Sequence, residues 1–376
     1  MKIEKFINGM ENIGIKNYIG VPDSTLKPLC DYLNNSKNQV NHMVPVNEGA
    51  AVALAAGRYL GNKELSCVYM QNSGIGNAIN PIVSLINEKV YDIPMLFVIG
   101  YRGEPKTKDE PQHVFQGEIT LPLLQLLGID YSVISNEIDD YTFSGILESA
   151  KISLNNNKQY AIVVKKNTFI NENHFTFENG FHLNRETAIK AIISSMNKND
   201  LIVTTTGKIS REAYEQSNNL YGEHNQLFLT VGSMGHASMI ALGIAQTNPN
   251  RRVYCIDGDG AALMHMGSMN YIANQKCENL VHIVLNNNAH ESVGGMPTDC
   301  PLTEYANLAV ALGYKNCLHI TSLKDLRTAL QQTKALSGST FIEVKVSIES
   351  RSNLGRPSES AVMNKITFMK YIEGDE

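Results

Sequence analysis

Apolar runs of strand length recur along the chain, each followed by a polar or glycine-rich loop and then a stretch of helical length, often alanine-rich. The first set is NYIGVP (17–22), LSCVYM (65–70), PMLFVIG (94–100), YSVIS (131–135) and YAIVVKK (160–166). A second set is LIVTTTG (201–207), LFLTVG (227–232), RVYCID (252–257), LVHIVLNN (280–287) and FIEVKV (341–346). Runs that are apolar on both faces and alternate with helical stretches predict parallel sheets in an α/β fold. A strand can be apolar at every position only when helices cover both sides of its sheet.

Between the two sets lies NENHFTFENGFHL (171–183), which is polar, asparagine-rich and without period. It reads as a linker between domains at 1–170 and 184–376, with Asn184 as N-cap of the helix that follows. The two halves echo each other. EGAAVALAAGRYLGNKELSCVYMQNSG and MGHASMIALGIAQTNPNRRVYCIDGDG both run small-residue helix, turn, strand, glycine loop. Val68 and Val253 correspond at an offset of 185 residues. A period this long is no solenoid repeat; it predicts two similar parallel-sheet domains flanked by helices.

Composition narrows the function classes. The chain has 376 residues, 43% of them hydrophobic, enough for two cores. A formal net charge of −5 without long single-sign runs argues against nucleic acid or an anionic membrane as partner. No run approaches the ~18 apolar residues of a membrane span, and the polar start MKIEKFINGMENIG has no signal-peptide core. The six cysteines are scattered, with no C-x-x-C pair. They read as structural thiols of a cytoplasmic protein, without a disulfide framework.

The candidate chemistry sits in loops after strands, where open parallel sheets bind ligands. The sharpest is Gly258-Asp259-Gly260, at the end of an apolar run. A dinucleotide fingerprint needs a third glycine where Leu263 stands, a P-loop needs G-K-[ST], and LMHMG offers no calcium ligands. A plain tight turn and a diphosphate–metal site remain. In the second, the N–H groups of Gly260 and Ala261 would face an anion while Asp259 gives a hard oxygen to Mg²⁺. Partner ligands would come from the next strand, which ends in Asn286-Asn287-Asn288 after 25 intervening residues.

Gly-Asp-Gly followed at this spacing by Asn-Asn resembles the motif of thiamin diphosphate-dependent enzymes. The resemblance implies Mg²⁺ held by Asp259, the Asn287 side chain and the Ala289 carbonyl, with Asn286 the alternative to Asn287. It implies that Glu48, opening the helix EGAAVALAAG, is the catalytic glutamate that bonds the cofactor's aminopyrimidine. Met234 of VGSMG would support the bent cofactor, beside Gly232 and Ser233, with Gly207, Lys208, Gly258, Gly260 and Ala261 also lining it. Residues 1–170 would bind the pyrimidine and 184–376 the diphosphate. In this superfamily the active site forms between subunits, so a homo-oligomer is implied.

Further stretches resemble the phosphonopyruvate decarboxylase branch: GVPDS (20–24), QNSGIGNAINP (71–81), YRGEP with DEPQH (101–113), TTGKISRE (205–212) and AHESVGGMPT (289–298). That implies decarboxylation of 3-phosphonopyruvate to phosphonoacetaldehyde and CO₂ within phosphonate biosynthesis. The substrate, bearing about three negative charges, would need cations. Arg102 is the first candidate, with Lys106, Lys208 and Arg211 behind it. His113 and His290 are candidate proton carriers. Asp23, Ser24, Asn72 and Gln112 would complete the substrate pocket. The chain departs from the branch at Lys106 and Asn288, where glycine is usual, and at Glu291, where aspartate is. Sulfopyruvate or another 2-keto acid remains the alternative substrate. A nicotinamide-dependent oxidoreductase, or a nucleotide-binding module without catalysis, is the alternative of another class.

Overall fold

The computed structural model describes residues 1–36 and 40–374. It divides into two units, Met1–Thr176 with His290–Asp299, and Phe177–Ala289 with Cys300–Glu376. The boundary at 176–177 falls in the polar stretch 171–183, and residues 290–299 leave the second half of the chain to group with the first.

The first unit is built on a parallel sheet of β1 (Asn17–Gly20), β2 (Asn41–Met43), β3 (Ser66–Gln71), β4 (Met95–Gly100), β5 (Asp130–Ile134) and β6 (Gln159–Val164), in the order β2-β1-β3-β4-β6-β5. The second has β7 (Leu201–Thr204), β8 (Leu227–Leu229), β9 (Val253–Gly258) and β10 (Leu280–Asn286). After a short pair, β11 (Ala289–His290) with β12 (Met296–Pro297), come β13 (Asn316–Ile320) and β14 (Thr340–Lys345). Its parallel order is β13-β14-β10-β9-β7-β8. Each sheet thus arranges its own six strands as second, first, third, fourth, sixth, fifth. Val68 and Val253 lie on the third strand of each.

Alternation along these strands fills both faces. In β3, Cys67 and Tyr69 enter one core with Leu96 and Val98, whereas Val68 and Met70 enter another with Phe97 and Ile99. In the second unit Tyr254, Ile256, Ile283 and Ile342 share one core. β2 and β13 had no apolar run to announce them: β2 is NHM and partly exposed, and β13 is a half-covered edge. An edge strand carries no two-sided apolar requirement. Asn184 caps its helix as the sequence suggests, accepting from Thr187 N–H at 3.1 Å. All six cysteines are free, and Cys30, Cys67, Cys255 and Cys277 are buried. Among the described residues no helix is long and apolar enough to cross a membrane.

Candidate active site residues in each unit

In the first unit, Asn47 is extended and its side chain accepts from Ala50 N–H at 2.8 Å, starting the helix Glu48–Asn62. Glu48 is thereby held at the first helical position, 5% exposed. One carboxylate oxygen accepts from Asn77 Nδ2 at 2.8 Å. Gly74 lies against the same carboxyl group, where a Cβ would stand 2.6 Å from its carbon. Burial pushes this carboxyl above the usual range, opposed only in part by Asn77 and by Glu48's own N–H.

The second cluster of this unit follows β4. Asp23 is fully buried beneath Gly100, where any Cβ would overlap its carboxylate. Asp23 Oδ2 accepts from Thr25 N–H (2.9 Å) and Leu26 N–H (3.2 Å), while Oδ1 has no hydrogen-bond partner. Burial raises this carboxyl to about 6, although Arg102 pulls the other way. Arg102 forks onto Asp109, Nε at 2.8 Å and Nη2 at 2.6 Å, and donates from Nη1 to Ser24 Oγ at 2.9 Å. Asp109 also accepts from Gly103 N–H (2.9 Å) and Glu110 N–H (2.8 Å). Despite desolvation, the Arg102 and Gly103 donors bring Asp109 down to about 2. Asn72 is fully buried, and its amide is spent on the Arg102 backbone, at 2.8 Å to O and 3.2 Å from N, and on Thr120 Oγ1 at 2.9 Å. His113 is pushed down to about 4 by burial and then by Arg102, so it is neutral at pH 7. His113 Nδ1 and Gln112 Oε1 are both buried without a partner. His290, which groups with this unit, is 6% exposed and brought by burial to about 4. Lys106 is exposed at φ +72°.

In the second unit the loops after β8, β7, β9 and β10, neighbours in the sheet, carry the remaining candidates. Gly207, at φ +95°, precedes the helix Lys208–Tyr221, and Thr206 Oγ1 donates to Val231 O at 2.9 Å, tying this turn to the 231–235 turn. There Ser233 (φ +51°) and Gly235 (φ +89°) are left-handed, with Gly232 and Met234 half-buried. Lys208 and Arg211 are half-buried in the first turn of their helix.

After β9, Asp259 begins the helix Asp259–Met264 and is 3% exposed, followed by buried Gly260 and Ala261. Burial raises its carboxyl to about 7, against backbone N–H donors that include Gly260, Asn287 and Asn288. Its Oδ2 is buried without a hydrogen-bond partner. At the end of β10, Asn286 donates from Nδ2 to Glu343 at 2.8 Å and accepts from Asn288 N–H at 3.0 Å. Asn287 accepts through Oδ1 from Ala289 N–H at 3.0 Å and through its carbonyl from Asn179 Nδ2 at 2.9 Å. Asn288 is left-handed at φ +58°. Both chain departures from glycine, Lys106 and Asn288, therefore fall where backbone is left-handed; asparagine bears that conformation at less cost than lysine.

Sequence reasoning missed several residues that hold these groups: Asn77, Gly74, Asp109, Thr120, Asn179, Tyr305 and Glu343. Asn77 and Asp109 sat inside stretches already singled out; for Asn179 and Glu343 no local signal exists. Asp257, one residue before the Gly-Asp-Gly turn, is 1% exposed. It accepts from Gly258 N–H at 2.9 Å and lies 3.5 Å from His282 Nε2, whose other nitrogen is 3.3 Å from Tyr314 Oη.

Comparison with known proteins places two family models on the chain. The N-terminal TPP binding domain of thiamine pyrophosphate enzymes matches residues 3–124, and the C-terminal TPP binding domain matches residues 206–344. A phosphonopyruvate decarboxylase of Streptomyces viridochromogenes is 33% identical, covering 93% of this chain and 90% of its own length. Another, of Streptomyces hygroscopicus, is 32% identical, covering 93% and 88%. A sulfopyruvate decarboxylase of Methanosarcina acetivorans is 27% identical, covering 91% and 90%.

Proposed function

The chain belongs to the thiamine pyrophosphate enzymes, as a decarboxylase related to the phosphonopyruvate and sulfopyruvate decarboxylases, and on that premise we propose that its substrate is 3-phosphonopyruvate, released as phosphonoacetaldehyde and CO₂. This family replaces the nicotinamide-dependent oxidoreductase and the non-catalytic nucleotide-binding module, the alternatives of another class. The observation that carries the substrate is that, among the relatives matched over more than 90% of this chain, the phosphonopyruvate decarboxylases are 33% and 32% identical and the sulfopyruvate decarboxylase 27%.

The residues fit Mg²⁺ and thiamin diphosphate. Asp259 Oδ2 is a buried carboxylate oxygen without a donor, which a hard cation would satisfy. With Asn286 turned to Glu343, Asn287 is the better-placed amide for the same ion, together with the Ala289 carbonyl. Gly258, Gly260 and Ala261 leave the backbone open to the diphosphate, and Gly207, Lys208, Gly232, Ser233 and Met234 line the neighbouring turns. When bound, thiamin diphosphate supplies a carbon nucleophile and takes up the electrons that the departing CO₂ leaves behind.

This chain's own groups do the rest. Glu48, whose carboxyl burial shifts toward its protonated form, would hydrogen-bond the aminopyrimidine. Arg102, kept in one orientation by Asp109 and Ser24, offers a fixed cation to the substrate's anionic groups. Asp23, near 6, can carry a proton close to neutrality, while burial keeps His113 and His290, near 4, as neutral imidazoles that offer hydrogen bonds. Gln112 and Ser24 complete the polar wall; Asn72 shapes it by holding the Arg102 backbone. The protein acts as a homo-oligomer, the arrangement of its superfamily.

CO₂ release from phosphonopyruvate, sulfopyruvate and pyruvate, with thiamin diphosphate and Mg²⁺ present, tests the substrate. Phosphonopyruvate should lead in kcat/KM by at least tenfold, about 1.4 kcal/mol of discrimination; a preference for sulfopyruvate or pyruvate would overturn the assignment. Calorimetric binding of thiamin diphosphate with and without Mg²⁺ tests the metal, and size-exclusion chromatography with light scattering tests the oligomer.

A further inference from the structure

Behind the proposed metal ligands stands a buried carboxylate to which the reaction assigns nothing. Glu343, on β14, is fully buried. Its register partner on β10 is Val284, two residues before Asn286. Oε1 accepts from Asn286 Nδ2 at 2.8 Å and pairs with Lys345 Nζ at 2.7 Å. Oε2 accepts from Ala306 N–H at 3.1 Å and lies 3.3 Å from His319 Nδ1. A buried carboxylate facing this many donors is costly to replace, since each donor loses a charge-assisted bond in a dry setting.

Two of those donors lead to the metal site by separate routes. Asn286 accepts from Asn288 N–H at 3.0 Å, which closes the turn that presents Asn287. Ala306 is the second residue of the helix Tyr305–Leu312, and Tyr305 Oη donates to the Asp259 carbonyl at 3.2 Å. One side chain therefore braces the asparagine turn directly and the Asp259 turn through a helix end.

We propose that Glu343 is a positioning residue that sets the separation of Asp259 and Asn287, and so the affinity of the enzyme for its divalent cation. The inference rests on the reading of Asp259 and Asn287 as metal ligands. Groups that orient ligands from behind typically change metal affinity by about 10- to 100-fold when removed.

The experiment is a Mg²⁺ titration of full-length protein at saturating thiamin diphosphate, followed by calorimetry, with Mn²⁺ binding by electron paramagnetic resonance as a direct second readout. Glu343→Gln and Asn286→Asp should each raise the metal midpoint about tenfold, because the first loses the charge and the second sets two carboxylates together. The double variant should recover to within about threefold, because an amide at 343 can again donate to a carboxylate at 286. Tyr305→Phe, which removes one hydrogen bond and little volume, should raise it about threefold and serves if Glu343→Gln does not fold. A Glu343→Gln protein with a lowered Tm but an unchanged metal titration would overturn the proposal, as would a double variant no better than the singles. If the wild-type protein binds thiamin diphosphate without Mg²⁺ dependence, the metal assignment itself falls, and this inference with it.

Discussion

Gly74 leaves the space that the Glu48 carboxyl group fills: a Cβ at position 74 would stand 2.6 Å from Glu48 Cδ, well inside van der Waals contact. The helix Glu48–Asn62 starts at its own cap, so the backbone cannot retreat without losing the Asn47 bond to Ala50. The carboxylate must move instead.

Gly74→Ala should therefore displace Glu48 while leaving the fold in place. A misplacement near 1 Å at a reacting group costs about 100-fold. The expected result is a kcat reduced by about that factor with a melting temperature near wild type, read from steady-state decarboxylation and a thermal scan. Placed on a Glu48→Gln background, the same substitution should cost little more, since both act on one group.

Glu48→Gln keeps the shape and removes the titrating proton. Turnover should fall by about 10²- to 10⁴-fold, the range of general acid–base catalysis. Thiamin diphosphate affinity, measured by calorimetry, should change only a few-fold. A fully active Glu48→Gln enzyme would remove Glu48 from the mechanism.

Asp23 carries a pH-dependent stability cost. Its folded-state pKa, about 6, lies above the ordinary 3.8 because burial opposes its charge. A raised carboxyl pKa favours the folded state below the unfolded value and loses that advantage as pH rises to the folded value. Above pH 6 the ionised, buried carboxylate costs about 3 kcal/mol relative to low pH. Asp23→Asn should thus be more stable than wild type at pH 8, with the gain fading toward pH 4.5. Urea unfolding at pH 4.5, 6 and 8 reads this directly, and decarboxylase activity should fall in the same variant.

Arg102→Lys keeps the charge but not the fork that grips Asp109 through two nitrogens while reaching Ser24 with a third. KM for phosphonopyruvate should rise about tenfold or more, with thiamin diphosphate binding unchanged. Asp109→Asn, at a carboxylate that accepts from Arg102, Gly103 and Glu110, should raise KM in the same direction by loosening the Arg102 side chain and the Gly103 turn.

Much of the architecture was legible because a strand covered on both faces writes its own local record. β3, β4, β6, β9, β10 and β14 are apolar on successive residues and lie inside their sheets. At the edges no such run is required: β5 and β8 carry one, and β2 and β13 do not. The positions of Glu48 and Asp259 are local in the same sense: each is the first residue of a small-residue helix, Glu48 behind its Asn47 cap and Asp259 directly after β9. The surprise at Asp257 is of the other kind. Its carboxylate is buried beside His282 of the neighbouring strand, a pairing visible only once β9 and β10 are in register.

By itself the sequence determined two parallel-sheet units, the turns that end their strands, and the residue types those turns present, because these follow from local periodicity and capping. Only the tertiary structure decided which of those residues are held and by what. Asn287 is gripped by Asn179, 108 residues away, and Asn286 by Glu343, 57 residues away. Strand order sets Glu343 of β14 beside Asn286 of β10, and the irregular segment around Asn179 packs against the end of β10; a lone asparagine or glutamate in a sequence says nothing of what lies beside it.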